Sequence, residues 1–231
     1  VPAATAGGAD LATVRAFATG RPAGVMIKAV AGGGGRGMRA VLPGPRFEEE
    51  LESAYRACVS EAELGFGDGR VFAEELQTGA RHIEVQIVGD GAATVAVGDR
   101  DCSVQRRNQK LVEIAPAPAL DDDLRAALHG HAARLCAAAS YRGLATVEFL
   151  VRDGGAVFLE VNPRIQVEHT VTEEVTGLDL VGAQLALAEG APLGDLGLPP
   201  AIGCRDGVVT GTPAAAHGTA VQTRVNLEVP Q

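Results

Sequence analysis

The sequence predicts an α+β fold. Strand-like runs follow one another across short Gly/Asp turns, as where 83–88 meets Gly89-Asp90-Gly91 and then 94–97, the mark of an antiparallel meander. Helical periodicity occurs in segments that interrupt those runs. With 231 residues, 46% of them hydrophobic, the chain is long enough to bury a real core.

Taken in order, residues 10–19 read as a short connector helix, with Asp10 as cap, Leu11, Val14 and Phe17 on one face and Gly20 as stop. Residues 24–30 form an apolar strand carrying Lys28, and the loop Ala31 to Arg39, with glycines at 32–35 and 37, returns into a second strand at 40–42. Strand, glycine loop, strand is a hairpin. Pro45 opens a helix to about Glu63 with Phe47, Leu51, Ala54, Tyr55 and Cys58 on its apolar face. Strands at 71–76, 83–88 and 94–97 follow, the second alternating cleanly. A helix at 121–139, capped within Asp121-Asp122-Asp123, turns Leu124, Leu128 and Leu135 inward. Strands at 146–151 and 156–161 meet through Asp153-Gly154-Gly155, and a helix at 178–189 stops at Gly190. Residues 190–218 read as loop and 220–227 as a last strand.

The formal charge of −9 argues against a general nucleic-acid or anionic-membrane binder, and no apolar run reaches spanning length. The four cysteines, Cys58, Cys102, Cys136 and Cys204, lack any ligand spacing. They read as buried free thiols of a reducing, cytoplasmic compartment. Trp is absent and aromatics make up only 3%, so no base-stacking platform is visible. The N-terminus carries neither Met nor a signal sequence and reads as the start of an excerpt from a longer protein.

Three features offer chemistry. If 153–155 form a three-residue loop, Glu148 lies opposite Glu160, with Cβ atoms roughly 5 Å apart, and Asn162 shares the face of Glu160. Two carboxylates and an amide oxygen then make a hard-cation site suited to Mg²⁺ and phosphate oxygens. A two-residue turn, or neutralisation by an arginine, is the competing reading. The Gly32–Gly37 loop with Lys28 before it can cradle a phosphate chain, although it is no Walker A loop; a flexible linker is the alternative. The basic run Gln105-Arg106-Arg107-Asn108-Gln109-Lys110 is either a solvated sheet edge or an anion site. His82 and His169, beside acids, read as structural hydrogen-bonders, and His129, His131 and His217 as surface groups.

Four separated motifs together resemble the biotin carboxylases of the ATP-grasp superfamily. They are Ile27 to Arg39, Arg81-His82-Ile83-Glu84-Val85-Gln86, Arg100 to Arg107, and Glu160 to His169 with Val171-Thr172-Glu173. The resemblance runs in order over nearly the whole chain. It implies an ATP-grasp fold of antiparallel sheets with flanking helices, ATP between two halves, and a glycine-rich lid. Residues 1–20 then lead from a preceding N-terminal subdomain, 21–78 form the lid, and 79–231 form the core with the start of a C-terminal subdomain.

The same resemblance implies site residues. Lys28 with Gly33, Gly34, Gly35 and Gly37 holds phosphate, Glu74 to Gln77 reads adenine, and His82, Gln105 and Asn108 complete the nucleotide contacts. Glu148, Glu160 and Asn162 take Mg²⁺ or Mn²⁺. Lys110, Arg164, Gln166 and Val167 line bicarbonate, Glu168 is its general base, and Arg224 holds the biotin enolate. The implied reaction forms carboxyphosphate from bicarbonate and ATP, and the released CO₂ carboxylates biotin. Implied partners are a biotin carboxyl carrier domain and a carboxyltransferase, in a homo-oligomeric full-length protein; the excerpt alone is expected to be inactive. Another ATP-grasp ligase forming an acyl phosphate, or a non-catalytic ATP-binding module, is the rival reading. Many relatives carry His where this chain has Asn108, and Lys where it has Glu75.

Overall fold

The computed structural model describes residues 2–4, 7–33, 37–106 and 108–225. Two compact units divide the chain, Val1–Gly79 and Ala80–Gln231. The lid residues Gly34 and Gly35, the basic-run residue Arg107 and the end of the expected last strand lie outside the described residues.

In the first unit, β1 (Ala3–Ala4), β2 (Val25–Ala29), β3 (Met38–Val41) and β4 (Val71–Glu75) form an antiparallel sheet in the order β1-β4-β2-β3. Alternation along β2 buries Val25, Ile27 and Ala29 and leaves Met26 and Lys28 on the other face. Two helices cover the buried face. The first, α1 (Leu11–Ala18), starts where the Asp10 side chain accepts from Thr13 N at 2.7 Å. The second, α2 (Phe47–Phe66), ends at Gly67, whose φ of 70° gives the left-handed cap. Val14, Leu51 and Cys58 close the core against Ile27 and Ala73.

The second unit is built on an eight-stranded antiparallel sheet. Its strands are β5 (Arg81–Asp90), β6 (Ala93–Arg106), β7 (Gln109–Ala115), β8 (Arg142–Arg152), β9 (Gly155–Asn162), β10 (Ile202–Arg205), β11 (Val208–Thr210) and β12 (Ala220–Thr223). The order is β11-β10-β6-β5-β8-β9, with β7 on β6 and β12 on β7. Helix α3 (Asp122–Ala138) packs Leu128, Ala132 and Cys136 on the face that carries Ile83, Val85, Ile87 and Val147. The short helix α4 (His169–Thr176) reaches the sheet's other face, where Thr172 meets Arg100 of β6. Helix α5 (Leu180–Ala188) adds Leu180 and Leu187 to a separate cluster with Val88, Val97 and Leu144.

Several expectations change. The 190–218 stretch holds the hairpin β10/β11, and α4 precedes the helix expected at 178–189, whose cap is Asp179. Leu135 faces outward at 42% exposure, because the buried stripe of α3 steps by four residues from Leu128 to Ala132 to Cys136. His129 is buried, not superficial, since Asp99 of β6 takes its Nε2 at 2.8 Å. No helix among the described residues is long and apolar enough to cross a membrane.

Candidate active site

Glu148 lies opposite Glu160 as expected, but by a different route. The turn has two residues, Asp153 (φ 52°) and Gly154 (φ 75°), a type I′ geometry that pairs Arg152 with Gly155. An uninterrupted ladder from that turn would set Glu148 against Leu159. A β-bulge intervenes after Phe149 pairs with Phe158: Leu159 has no partner, and Glu148 faces Glu160. The three-residue loop is therefore wrong and its consequence right, because the bulge supplies the extra residue. Asn162 joins them: its Nδ2 donates to Glu148 Oε1 at 2.9 Å and to Glu160 Oε1 at 3.3 Å. Two acids and an amide, with the Asn162 Oδ1 able to turn inward, suit a hard cation.

Around Glu148 the acids and bases are closely packed. Lys110 Nζ donates to Glu148 Oε1 (2.9 Å), to Glu168 Oε1 (2.7 Å) and to Glu84 Oε2. Glu84, Glu148 and Glu168 are almost wholly buried. Burial opposes the Lys110 charge, but Glu84, Glu148 and Glu168 overcome it and hold Lys110 protonated well above the ordinary lysine range. Burial likewise pushes Glu148 up, yet His82 and Lys110 outweigh it and bring its pKa to about 2. Glu168 also ends below the usual carboxylate range, against its burial, chiefly through Lys110.

His82 Nε2 lies 2.6 Å from Glu148 Oε2, and Gln105 Nε2 lies 2.6 Å from His82 Nδ1. Gln105 Nε2 also donates to the Cys102 carbonyl at 2.8 Å, which fixes the amide. Nδ1 of His82 therefore accepts, and Nε2 carries the proton towards Glu148. Arg224, just beyond β12, donates its backbone N–H to Leu111 O (2.8 Å) and its Nη2 to Glu168 Oε2 (2.7 Å). Gln166 Nε2 reaches Glu148 Oε1 at 3.3 Å, and its buried Oε1 has no partner among the described residues.

Other expected residues of the second unit stand apart from this cluster. Arg164 is exposed and, among the described residues, touches it only through Asn162 Oδ1, at 3.5 Å. Val167 is 64% exposed, and Asn108 sits in the β6/β7 turn with φ 62°. In the first unit, Lys28 Nζ pairs with Glu74 at 2.6 Å, and Gln77 Nε2 meets the Glu75 carbonyl at 3.5 Å. Gly37, with φ 67°, places its carbonyl 2.8 Å from Ala29 N; Gly33 has nothing within 4 Å of where a Cβ would stand. Glu75 is paired with Arg21 at 3.3 Å.

Sequence reasoning assigned no site role to three groups. Glu84 of β5 is fully buried and holds both Lys110 and Arg100. Arg100 is itself fully buried, its Nε 2.5 Å from Glu84 Oε1, with Gln86 Oε1 (3.0 Å) and Thr172 Oγ1 (2.8 Å) accepting from Nη1. Glu113 of β7 is fully buried beside Arg224. Glu84 and Arg100 lie within the motifs that carry the family resemblance, but beyond that the signal was only that these charges sit at alternate positions in apolar strands, which on a half-exposed sheet describes a solvated face equally well.

The carbamoyl-phosphate synthase L chain, ATP-binding domain family matches residues 1–196. Pyruvate carboxylase 1 of Caenorhabditis elegans is 48% identical over 208 residues, 89% of this chain and 16% of the relative. The chain therefore spans about a sixth of the length of such curated relatives. Among solved structures, a single-chain, multi-domain long-chain acyl-CoA carboxylase superposes with TM-score 0.72 and 48% identity, over 95% of this chain and 19% of that one. The biotin carboxylase domain of Hydrogenobacter thermophilus 2-oxoglutarate carboxylase, solved with MgADP, ADP and bicarbonate, gives TM-score 0.73 and 38% identity over 84% and 43%. By the matched span and these likenesses, the chain belongs to the carbamoyl-phosphate synthase L chain ATP-binding domain family, in the ATP-grasp form found in biotin carboxylases.

Proposed function

We propose that this chain is the ATP-grasp part of a biotin carboxylase, which carboxylates biotin on a carrier domain using bicarbonate and ATP by way of carboxyphosphate. The observation that carries the reading is Lys110 held among Glu84, Glu148 and Glu168, with Arg224 on the far oxygen of Glu168. A carboxylate kept ionised between two cations can take a proton from bicarbonate when the anion enters beside Lys110, and Arg224 then stabilises negative charge on the carboxyl acceptor. Gln166, with its unpartnered Oε1, offers an acceptor to the bicarbonate hydroxyl, and exposed Arg164 draws the anion in. Lys28 with Gly33, Gly34, Gly35 and Gly37 binds the phosphates, and Glu74 to Gln77 the adenine. His82, Gln105 and Asn108 complete the nucleotide contacts.

Glu148, Glu160 and Asn162 would hold Mg²⁺ or Mn²⁺, which supplies charge neutralisation for the triphosphate. The lid corresponds to 21–78, with β1 and α1 packed on its sheet, and the core to 79–231. A carrier domain and a carboxyltransferase are the partners this chemistry needs, since carboxyl capture and delivery are separate steps. The test is Glu168→Gln in the intact polypeptide. Bicarbonate-dependent carboxylation of biotin should disappear while Mg-ATP binding persists. ADP formation indifferent to bicarbonate in the unaltered protein would refute the reaction, and full activity of the variant would refute the role of Glu168.

A further inference from the structure

Glu113 is a fully buried carboxylate in the interior of β7, where a Val or Leu would serve the sheet better. Neither of its oxygens has a hydrogen-bond donor among the described residues. Its counter-charge is Arg224, whose Nε lies 2.8 Å from Oε1, off the line of a hydrogen bond but in direct ionic contact. The register explains the meeting: Glu113 pairs with Gln222, so Arg224, two residues further, falls on the same face at the diagonal position. Burying a carboxylate is costly unless it is paired, and the partner here is a side chain still 30% exposed at the end of a four-residue strand.

We propose that Glu113 is the positioning residue of the carboxyl-acceptor half of the site: it grips Arg224 by the Nε edge, so that the Nη edge stays aimed at Glu168 and at the oxygen of the bound acceptor. Without that grip, the guanidinium, at the end of a strand that among the described residues pairs only with β7, keeps a single ionic anchor at Glu168 and can rotate about it. Arg224 then stands between two acids, Glu113 at Nε and Glu168 at Nη2 (2.7 Å), and is fixed in rotation as well as in place. The acid is not a catalytic group, because it is sealed from solvent behind the arginine. This inference rests on the function proposed above, in which Arg224 faces the biotin enolate.

The experiment uses the intact polypeptide that carries this chain, with Glu113→Gln and the shorter acid Glu113→Asp. Two reactions are compared: bicarbonate-driven ATP hydrolysis without biotin, and carboxylation of free biotin. Glu113→Gln should lower kcat/KM for biotin at least fivefold more than it lowers hydrolysis, with Glu113→Asp recovering part of the loss. Independently of activity, phenylglyoxal modification of Arg224, read by peptide mass spectrometry, should quicken severalfold in Glu113→Gln. Equal losses in both reactions, or unchanged Arg224 reactivity, overturn the positioning role and leave Glu113 a structural acid. If the unaltered protein shows no bicarbonate-driven turnover, the proposed function falls, and Arg224 reactivity alone then decides the positioning. Should Glu113→Gln fail to fold, Glu113→Asp gives the same readouts at smaller amplitude.

Discussion

Replacing Glu84 with glutamine keeps the volume of the side chain and removes one negative charge from between two cations. Arg100, fully buried, loses the carboxylate 2.5 Å from its Nε and keeps only neutral acceptors on Gln86, Thr172 and Thr146. Lys110 loses one of three acids and keeps Glu148 and Glu168. The larger penalty therefore falls on Arg100. Leaving a buried charge without its partner costs about 3–5 kcal/mol. For a unit such as Ala80–Gln231, each kcal/mol moves Tm by about 2–4 °C, so the loss is on the order of 6–20 °C. Thermal unfolding followed by circular dichroism measures it, and hydrogen exchange of β5 and β6 amides assigns the transition to this unit. Adding Arg100→Met removes the orphaned charge and should restore most of the stability. A Tm within about 2 °C of the unaltered protein, at odds with that penalty, or a double variant no better than Glu84→Gln, would refute the reasoning.

Acid should destabilise the second unit. Glu148, Glu168 and Asp99 all have folded pKa values below the ordinary carboxylate range, Asp99 because His129 and Arg125 outweigh its burial. The stability they contribute is complete above the unfolded carboxylate pKa and is lost as pH falls through the folded values, for Glu148 down to about 2; a flat unfolding free energy across that window would contradict it. Gly154→Ala forces a side chain into φ 75° with no neighbour to meet, and should cost about 1 kcal/mol in a denaturant melt. Gly24→Ala should be far worse in the first unit, because its Cβ would stand 2.2 Å from the Val41 carbonyl at φ 90°; equal losses in the two variants would be the wrong result. Lys110→Met should abolish bicarbonate-dependent turnover, since it removes the cation shared by three acids; retention of more than about a hundredth of the rate, a loss of under roughly 3 kcal/mol in barrier, would exclude that role.

The candidate site was legible where its residues are close in sequence. The 160–169 segment carries its acids and amides in a short run at and past the end of β9, so a single local geometry brings Glu160, Asn162, Gln166 and Glu168 to the rim, while Arg164 stays exposed beside them. The hairpin pairing of β2 with β3 was legible for the same reason. The bulge at Leu159 was not, because turn length and bulge trade against each other and the two together leave the same cross-strand pair. Glu84, Arg100 and Glu113 were hidden in strands whose alternation is identical whether the polar face meets water or other charges.

Strand alternation in the sequence determined that Glu84 and Gln86 point away from Ile83 and Val85, and that Glu148 points away from Val147 and Phe149. Tertiary structure alone decided that this polar face is closed. Thr172 of α4 caps Arg100 from 72 positions away, and Lys110 reaches Glu168 across 58. Periodicity is set by the backbone of one strand, whereas burial is set by whichever distant element packs on it, and only burial turns a row of charges into a set of mutually dependent acids and bases.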